Sequence, residues 1–245
     1  MHNLGRTRSS QQPNHLLLTP DTFVRTILPG MKGAAIIHVS PALGARFTQY
    51  TAEFEAGGEL GYAVAQRFIF VVEGAVTLEV GGKSNGLSER GYAYLPENLP
   101  HHLVATKASR VAVIEKNYQS LPSVQPPSII ISNEDALSSH PLGDDPALQV
   151  KCLLPDEMSF DFAVNTMVYQ PGASLSMVEM HVMEHGLIML EGGGIYRLGD
   201  SWYPVTAGDF IWMGPWCPQW FGAIGKAPAK YLIYKDWNRH PLMKE

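Results

Sequence analysis

The chain has 245 residues, of which 45% are hydrophobic and 17% are charged, so it can bury one large β core or the cores of two domains of roughly 100–120 residues each. Its formal net charge of −5 and the lack of a Lys/Arg cluster argue against nucleic acid as a partner. The longest apolar runs fall short of the ~18 residues of a membrane span, and the two cysteines do not suggest a disulfide framework, so we expect a cytoplasmic protein without membrane contact.

The first part of the chain changes character near residue 15. Residues 1–15 are polar and contain little to bury, which predicts a mobile N-terminal tail. Residues 16–118 contain short β-branched and aromatic runs such as "AAIIHVS", "RFIFVVEG" and "RVAVIEK", broken by Gly, Pro and Asn. Runs at a spacing of roughly 8–12 residues predict an all-β sandwich or barrel.

A second β-rich segment follows a proline-rich stretch. Residues 119–148 combine prolines with polar and acidic residues, which predicts a linker, and the β pattern resumes over residues 149–245. The two β-rich segments repeat each other, because "FVVEGAVTLEV" and "IMLEGGGIYRL" align with an offset of 192 − 74 = 118 between Gly74 and Gly192. Each segment ends on a hydrophobic strand that finishes with a lysine, and these lysines, Lys116 and Lys235, have nearly the same offset, 235 − 116 = 119. A nearly constant offset over this length predicts a duplicated domain.

The stretch "VEMHVMEHG" contains the strongest candidates for metal ligands. As a helix it matches the H-x-x-E-H pattern of inverted zinc proteases, with His181 and His185 on one face and Glu184 beside them. As a strand it places Glu179 and His181 on one face, and His185 joins them from the next strand. Neither flank has the ten or more residues of helical periodicity that the first interpretation requires, so we favour the strand and expect Glu184 in an exposed turn.

The duplication provides an internal control for these polar residues. The alignment places Glu179, His181 and His185 opposite Gly61, Ala63 and Arg67. A fold that needed the three donors for stability would need them in both copies. Their presence in only one copy therefore indicates a metal site in the second domain.

The spacing of these donors resembles the two motifs of the cupin superfamily. The first motif runs from Gly172 through the three donors to Gly192, and the second runs from Gly208 to Gln219. The resemblance implies a duplicated cupin fold, that is, two double-stranded β-helix (jelly-roll) barrels forming a bicupin. It also implies that Gln219 is the fourth ligand, where cupins usually carry histidine.

A Glu-His-His-Gln set in the second half of a two-cupin chain is similar to the (S)-ureidoglycine aminohydrolase family, bicupins of purine and allantoin breakdown. The likeness implies Mn²⁺ bound by Glu179, His181, His185 and Gln219. It also implies that Tyr196, Tyr231 and Lys235 line the substrate site. The alignment places these three residues opposite Leu78, Ala112 and Lys116. The N-terminal cupin is therefore expected to be metal-free.

The donor types agree with this expectation. Two imidazoles, a carboxylate and an amide oxygen suit Mn²⁺ or Fe²⁺, whereas a structural zinc site would normally use thiolate. The donor types leave Mn²⁺ and Fe²⁺ open, and the family resemblance favours Mn²⁺ over Fe²⁺ or Zn²⁺. Cys217 lies two residues before Gln219, and we expect it to line the cavity rather than to bind the metal.

The resemblance implies hydrolysis of ureidoglycine to ureidoglycolate and ammonia, with a metal as template and Lewis acid. Two alternatives remain open from the sequence. One is an Fe²⁺-dependent cupin dioxygenase or isomerase acting on a small acyclic acid, and the other is a metal-free ligand-sensing cupin. The family likeness and the edges of cupin sheets also lead us to expect a homo-oligomer.

Overall fold

β-Strands account for nearly all of the regular structure in the computed structural model, which describes residues 7–240. In chain order the strands are β1 (Ser10–Gln12), β2 (His15–Leu18), β3 (Arg25–Thr26), β4 (Met31–Lys32), β5 (Ala34–Val39), β6 (Thr48–Phe54), β7 (Glu59–Leu60), β8 (Gln66–Glu73), β9 (Ala75–Val80), β10 (Lys83–Ser88), β11 (Gly91–Leu95), β12 (His101–Ala105), β13 (Ser109–Lys116), β14 (Ile130–Asn133), β15 (His140–Leu142), β16 (Asp145–Cys152), β17 (Phe162–Tyr169), β18 (His185–Glu191), β19 (Gly193–Leu198), β20 (Ser201–Thr206), β21 (Phe210–Met213), β22 (Gln219–Ala223) and β23 (Ala229–Asp236). The helices of this part of the chain are three 3-10 turns, Pro20–Thr22, Pro41–Leu43 and Glu134–Ala136. The all-β prediction is confirmed, and no helix in residues 7–240 combines the length and apolarity needed to cross a membrane.

The described chain divides into two units of similar construction. The N-terminal unit comprises residues 24–137, and the C-terminal unit comprises residues 7–23 together with residues 138–240. The N-terminal unit has a seven-stranded sheet, β14-β11-β8-β13-β6-β5-β3, and a five-stranded sheet, β10-β9-β12-β7-β4. Side chains that alternate inward along both sheets, such as Tyr50, Ile69 and Leu103, form its buried core.

The C-terminal unit has an eight-stranded sheet, β1-β2-β21-β18-β23-β17-β16-β15, and a three-stranded sheet, β20-β19-β22. Its core contains Tyr169, Leu187, Phe221 and Ile233, all of which are buried. The inward faces of β17, β18 and β23 continue from this core into the cavity that is described below. One face of the large sheet therefore supplies both packing and the walls of the site.

The start of the chain differs from its prediction. The sequence predicts a mobile tail over residues 1–15 and an N-terminal cupin that begins at residue 16. The structure instead pairs β1 with β2 and β2 with β21, so residues 10–18 extend the sheet of the C-terminal unit. Arg8 also binds the buried carboxylate of Asp209. The polar arm is ordered because main-chain pairing and this ion pair replace the hydrophobic contacts that it lacks; residues 1–6 lie outside the described part of the chain.

The predicted linker, residues 119–148, also contains more structure than its composition indicates. Strand β14 pairs with β11 of the N-terminal unit, while β15 pairs with β16 of the C-terminal unit. The unit boundary lies between residues 137 and 138. Pro141 lies in β15, which is the edge strand of its sheet, and edge strands tolerate proline because one side of their backbone makes no ladder hydrogen bonds.

The turn glycines that first revealed the repeat adopt the same backbone conformation in both units. Gly74 and Gly192 have φ angles of 92° and 64°. A Cβ atom at these positions would overlap the carbonyl groups of Ala108 and Pro228. Only glycine combines a positive φ with such a close approach of two backbones, so both units require it at this turn.

Strand register corrects the sequence alignment in the last strand of each unit. Arg67 pairs with Glu115, and His185 pairs with Lys235. The counterpart of Lys235 is therefore Glu115, with an offset of 235 − 115 = 120, and not Lys116. The loop before β23 is two residues longer than the loop before β13. A shift of one residue moves a side chain to the opposite face of a sheet, so Lys116 and Lys235 point to different faces.

The same correction applies to Tyr231. It pairs with Met189, whereas Val71 pairs with Val111 in the N-terminal unit. The counterpart of Tyr231 is therefore Val111 rather than Ala112. An apolar residue still occupies the position, so the conclusion that the hydroxyl is specific to the C-terminal unit is unchanged.

Candidate active site

A cavity of about 160 Å³ opens on the inner face of the large sheet of the C-terminal unit. All seven residues that the sequence singled out line it, namely Glu179, His181, His185, Tyr196, Gln219, Tyr231 and Lys235. Pockets for drug-sized ligands usually measure about 300–1,000 Å³. This cavity therefore suits a molecule well below drug size.

The segment that carries Glu179 and His181 is neither a helix nor a regular strand. Glu179 forms one isolated antiparallel bridge with Gln219, in which each main-chain N–H donates to the other carbonyl at 2.8 Å. His181 lies in an irregular stretch, and its carbonyl accepts a hydrogen bond from Trp216 N–H at 2.6 Å. The helical interpretation is wrong, and the expected strand is reduced to a single bridge because bends at residues 176–177 and 182–183 interrupt it.

His185 and Gln219 lie at fixed points of the framework. His185 is the first residue of β18 and is paired with Met213 and Lys235, whereas Gln219 begins β22 and is paired with Leu198. Both side chains are buried. Burial, together with the nearby His181 and Lys235, lowers the pKa of His185 to about 3, so its imidazole is neutral and keeps a lone pair for a metal at physiological pH.

The chemistry of these donors fits a divalent metal. The Nδ1 atom of buried His185 has no hydrogen-bond partner, which is costly unless something else satisfies it. Within residues 7–240 no three His, Cys, Asp or Glu side chains form a ready-made metal cluster. Glu179 and His181 contact each other at 3.3 Å between Oε2 and Nε2. A metal held by Glu179, His181, His185 and Gln219 would replace this contact.

The two predicted tyrosines are buried at the inner end of the cavity. The hydroxyl of Tyr196 donates to Oε1 of Gln219 at 3.4 Å, and the hydroxyl of Tyr231 lies 2.7 Å from the hydroxyl of Tyr169. Burial raises the pKa of Tyr196 and of Tyr231 well above 10. Both therefore remain protonated and can donate hydrogen bonds or pass protons.

Lys235 supplies a cation to the cavity wall. Its Nζ lies 4.3 Å from the centroid of the Trp237 ring, and the indole N–H of Trp237 donates to Asp156 at 2.6 Å. Burial lowers the pKa of Lys235, while Cys152, Asp156 and Glu179 act in the opposite direction. An ammonium that is partly desolvated is well suited to binding an anionic group of a ligand.

The N-terminal unit closes the corresponding space with its own side chains. Arg67 stands at the position of His185 and donates to Glu115, to the carbonyl of Gly61 and towards Nε2 of His101, at 2.7–2.9 Å. His101 occupies the position of Gln219, since it pairs with Val80 as Gln219 pairs with Leu198. The guanidinium and its partners satisfy one another, so this cluster is structural. Burial is the main cause that lowers the pKa of His101, to about 4.

Two other expectations were wrong. Glu184 is fully buried rather than exposed, and its carboxylate accepts the indole N–H of Trp212 at 3.0 Å on the face of the sheet opposite to the cavity. Cys217 packs in the core of the C-terminal unit and is absent from the cavity lining. Cys217 follows the turn at residues 215–216, and its N–H donates to the carbonyl of Gly214 at 3.2 Å. Both cysteines are free thiols.

The sequence interpretation missed Asn165. This residue lies in the middle of β17, is 7% exposed and lines the cavity. Its signal is an isolated amide in the run "FAVNTMVY", at even spacing from the inward-facing Met167 and Tyr169. A polar residue in a central strand at an inward position requires either a partner or a ligand.

Two family comparisons match the two units separately. Residues 42–118 match the EutQ-like cupin domain, and residues 165–234 match the Cupin domain. The first match lies within the N-terminal unit, and the second runs from within β17 to within β23 and includes every predicted site residue except Lys235, which follows its last residue. The duplicated cupin fold is therefore confirmed.

Individual relatives match over nearly the whole chain. The chain is 42% identical to (S)-ureidoglycine aminohydrolase of Arabidopsis thaliana over 246 residues, which cover 97% of this chain and 80% of the relative. It is 33% identical to (S)-ureidoglycine aminohydrolase of Escherichia coli (strain K12) over 234 residues, with coverages of 92% and 89%. The crystal structure of protein Ylba from E. coli superimposes with a TM-score of 0.84, at 30% identity and with 96% of each chain covered.

Proposed function

Because the chain belongs to the (S)-ureidoglycine aminohydrolase family of two-domain cupins, we propose that it hydrolyses ureidoglycine to ureidoglycolate and ammonia. It is thus an enzyme, a hydrolase that acts on a C–N bond. The observation that carries the proposal is the cavity of the C-terminal unit, where two imidazoles, a carboxylate, an amide, two tyrosines and a lysine face one small space. The matching space of the N-terminal unit contains the self-satisfied Arg67 cluster.

The reaction makes clear demands on these side chains. A C–O bond forms between a water oxygen and the carbon that carries the amine, and the C–N bond breaks with its electron pair going to nitrogen. The departing nitrogen takes up a proton, and the attacking water loses one. The substrate carboxylate also needs a fixed counter-charge so that the reacting carbon is held in place.

Lys235 and the tyrosines can meet these demands. The Lys235 ammonium binds the substrate carboxylate. Tyr231, whose hydroxyl lies 2.7 Å from that of Tyr169, donates a hydrogen bond to the departing amine. The proton that the amine takes up balances the one that the attacking water loses, so both tyrosines end the reaction protonated. Tyr196 holds Oε1 of Gln219 in position. Because burial keeps both Tyr196 and Tyr231 protonated, these roles do not change across neutral pH.

Glu179, His181, His185 and Gln219 are the residues proposed to hold a divalent metal, with Mn²⁺ favoured over Fe²⁺ or Zn²⁺. When bound, the metal would supply Lewis acidity and a template for the substrate. With one carboxylate and three neutral donors around it, a bound divalent ion would keep a net positive charge. That charge favours an anionic substrate.

The family likeness extends the proposal to the cellular role. The reaction would release nitrogen from ureides formed in purine and allantoin breakdown, in the cytoplasm, and the enzyme would form a homo-oligomer. Sedimentation equilibrium of the purified full chain measures the subunit number, and a purely monomeric protein would contradict that part.

Ammonia release from freshly prepared ureidoglycine tests the activity itself. Metal-stripped protein is expected to release ammonia no faster than the buffer, and Mn²⁺ is expected to restore turnover. Ureidoglycolate should appear in equal amount to ammonia. Failure of the Mn²⁺-loaded protein to accelerate ammonia release would refute the proposed function.

A further inference from the structure

We infer that Asn165 is a specificity-determining residue whose carboxamide recognises the ureido group of the substrate. The inference rests on the proposed function, and it concerns a residue to which the proposed chemistry gives no part. Asn165 lies on the inner face of the large sheet and lines the cavity. Asn165 is directly opposite Ile233 on β23, and its diagonal neighbours there are Tyr231 and Lys235.

This position places the carboxamide between two proposed substrate contacts. Side chains on one face of antiparallel strands that are diagonal to each other lie roughly 7–8 Å apart. That separation matches the span of a small acyclic molecule whose carboxylate is at Lys235 and whose amine is near Tyr231. The third arm of such a molecule, the ureido group, then has Asn165 within reach.

The other polar groups of the cavity already have partners or roles. Glu179 contacts His181, Tyr196 contacts Gln219, and Tyr231 contacts Tyr169. The Lys235 ammonium lies over the Trp237 ring. Within residues 7–240, the carboxamide of Asn165 is bonded to no other group. Because it is nevertheless nearly buried, a ligand is the partner that would satisfy it.

The chemistry of a carboxamide complements that of a ureido group. A ureido group is planar and presents one carbonyl acceptor beside N–H donors. The Asn side chain offers a carbonyl oxygen and an NH₂ group in one plane, so the two can form a pair of parallel hydrogen bonds. The other amide of the cavity, on Gln219, is the proposed fourth metal ligand, which leaves Asn165 for this contact.

The N-terminal unit shows how the same position is used without a ligand. The counterpart of Asn165 is Tyr50, because Tyr50 pairs with Val113 as Asn165 pairs with Ile233. The hydroxyl of Tyr50 donates to Glu115 at 2.8 Å. The position is thus closed by an internal hydrogen bond in the unit that lacks the site, and open towards the cavity in the unit that has it.

The test compares binding of N-carbamoylglycine and N-acetylglycine to the full-length protein by calorimetry. The probes differ by an NH₂ group in place of a methyl group, and neither carries the amine that leaves. Wild type is expected to bind N-carbamoylglycine about 10- to 100-fold more tightly, because a site built for hydrogen bonding rejects an analogue that lacks the group. Asn165→Leu is expected to reduce this preference to within about threefold, mainly because it weakens the binding of N-carbamoylglycine.

Controls separate recognition from folding and from the proposed function. Circular dichroism checks the fold; if Asn165→Leu unfolds, Asn165→Ala is measured in its place. Tyr50→Phe, at the matched position of the N-terminal unit, is expected to retain both the preference and ammonia release. An unchanged preference in the folded Asn165 variant overturns the inference. If wild type still releases ammonia from ureidoglycine in that case, the proposed function stands without it.

Discussion

His185 and Lys235 are direct cross-strand partners on β18 and β23, and both side chains line the same cavity. Burial lowers the pKa of each side chain. For His185 this preserves the neutral form that can bind a metal, and for Lys235 it makes an anionic ligand more favourable. The pair therefore joins the proposed metal site to the proposed carboxylate site on two adjacent strands.

Replacing Lys235 with methionine should lower kcat/KM for ureidoglycine by about 10- to 150-fold, the cost of one hydrogen bond to a charged group. Steady-state ammonia release measures the effect. Lys226→Met, in the exposed loop before the same strand, is the matched control and should retain full activity. Equal activity of both variants would remove Lys235 from the substrate site.

Trp237 should act as a positioning residue for Lys235. A cation–π contact is worth about 0.5–2 kcal/mol, so Trp237→Leu should raise KM by about 2- to 30-fold and change kcat less. Trp237→Phe, which keeps an aromatic face, should recover part of the loss. Trp202→Leu is the control, because it removes a comparable contact in which Arg197 lies 5.7 Å from the centroid of the Trp202 ring. Trp202 does not line the cavity, so this change should leave KM unchanged.

Glu179→Gln should prevent stable Mn²⁺ binding, because it removes the single carboxylate of the proposed set while keeping its shape. Elemental analysis after dialysis should show less than a tenth of the wild-type metal content, roughly the effect of losing one charged ligand. The thermal shift caused by Mn²⁺ should also disappear. Glu157→Gln, an exposed change in the same unit, should bind metal as wild type does; full metal content in Glu179→Gln would contradict the ligand assignment.

The sequence predicted the duplicated β fold and three of the residues that meet in the cavity, because turn glycines, alternation and the spacing of the Glu and His donors are local signals. The remaining cavity residues, Gln219, Tyr196, Tyr231 and Lys235, followed from the family resemblance. It could not predict the register of β23. The loop before β23 is two residues longer than the loop before β13, so the true offset between the last strands is 120. The sequence alignment used an offset of 119 and therefore placed Lys235 opposite Lys116. It also missed Asn165, because a single amide in an apolar strand becomes informative only when its face is known. The ordering of the N-terminal arm depends on pairing with β21 and on Asp209, which lies 201 residues after Arg8, and no local pattern reveals such distant partners.

His38 should make stability depend on pH. Its Nε2 lies 2.8 Å from Oγ1 of Thr51, and burial, with a smaller effect of Arg110, lowers its pKa from 6.5 to about 3. Between these values the unfolded chain binds a proton that the folded chain does not. The free energy of unfolding should therefore fall as the pH falls from about 6.5 towards about 3, with His38 contributing a slope of up to ~1.4 kcal/mol per pH unit.

Urea unfolding of the full chain at several pH values, followed by far-UV circular dichroism, measures this slope. His38→Gln should make the slope shallower whatever its effect on stability at neutral pH. His140→Gln, an exposed histidine, is the control and should leave the slope unchanged. The same slope in His38→Gln and wild type would show that His38 does not titrate in this way.

Arg8 should stabilise the C-terminal unit through Asp209. The carboxylate of Asp209 is fully buried, accepts from Nη2 of Arg8 at 2.8 Å and also accepts the backbone N–H of Thr206 at 2.8 Å. Arg8→Met would leave a buried charge without its main partner, which typically costs about 3–5 kcal/mol. Because the Arg8 side chain is 35% exposed, solvent screening should reduce the loss to about 1–3 kcal/mol. Arg25→Met removes a more exposed partner, 59% exposed, from Glu53 and should cost clearly less than Arg8→Met, because solvent screens exposed ion pairs. Equal losses in the two variants, measured by urea unfolding, would contradict the role of burial at Asp209.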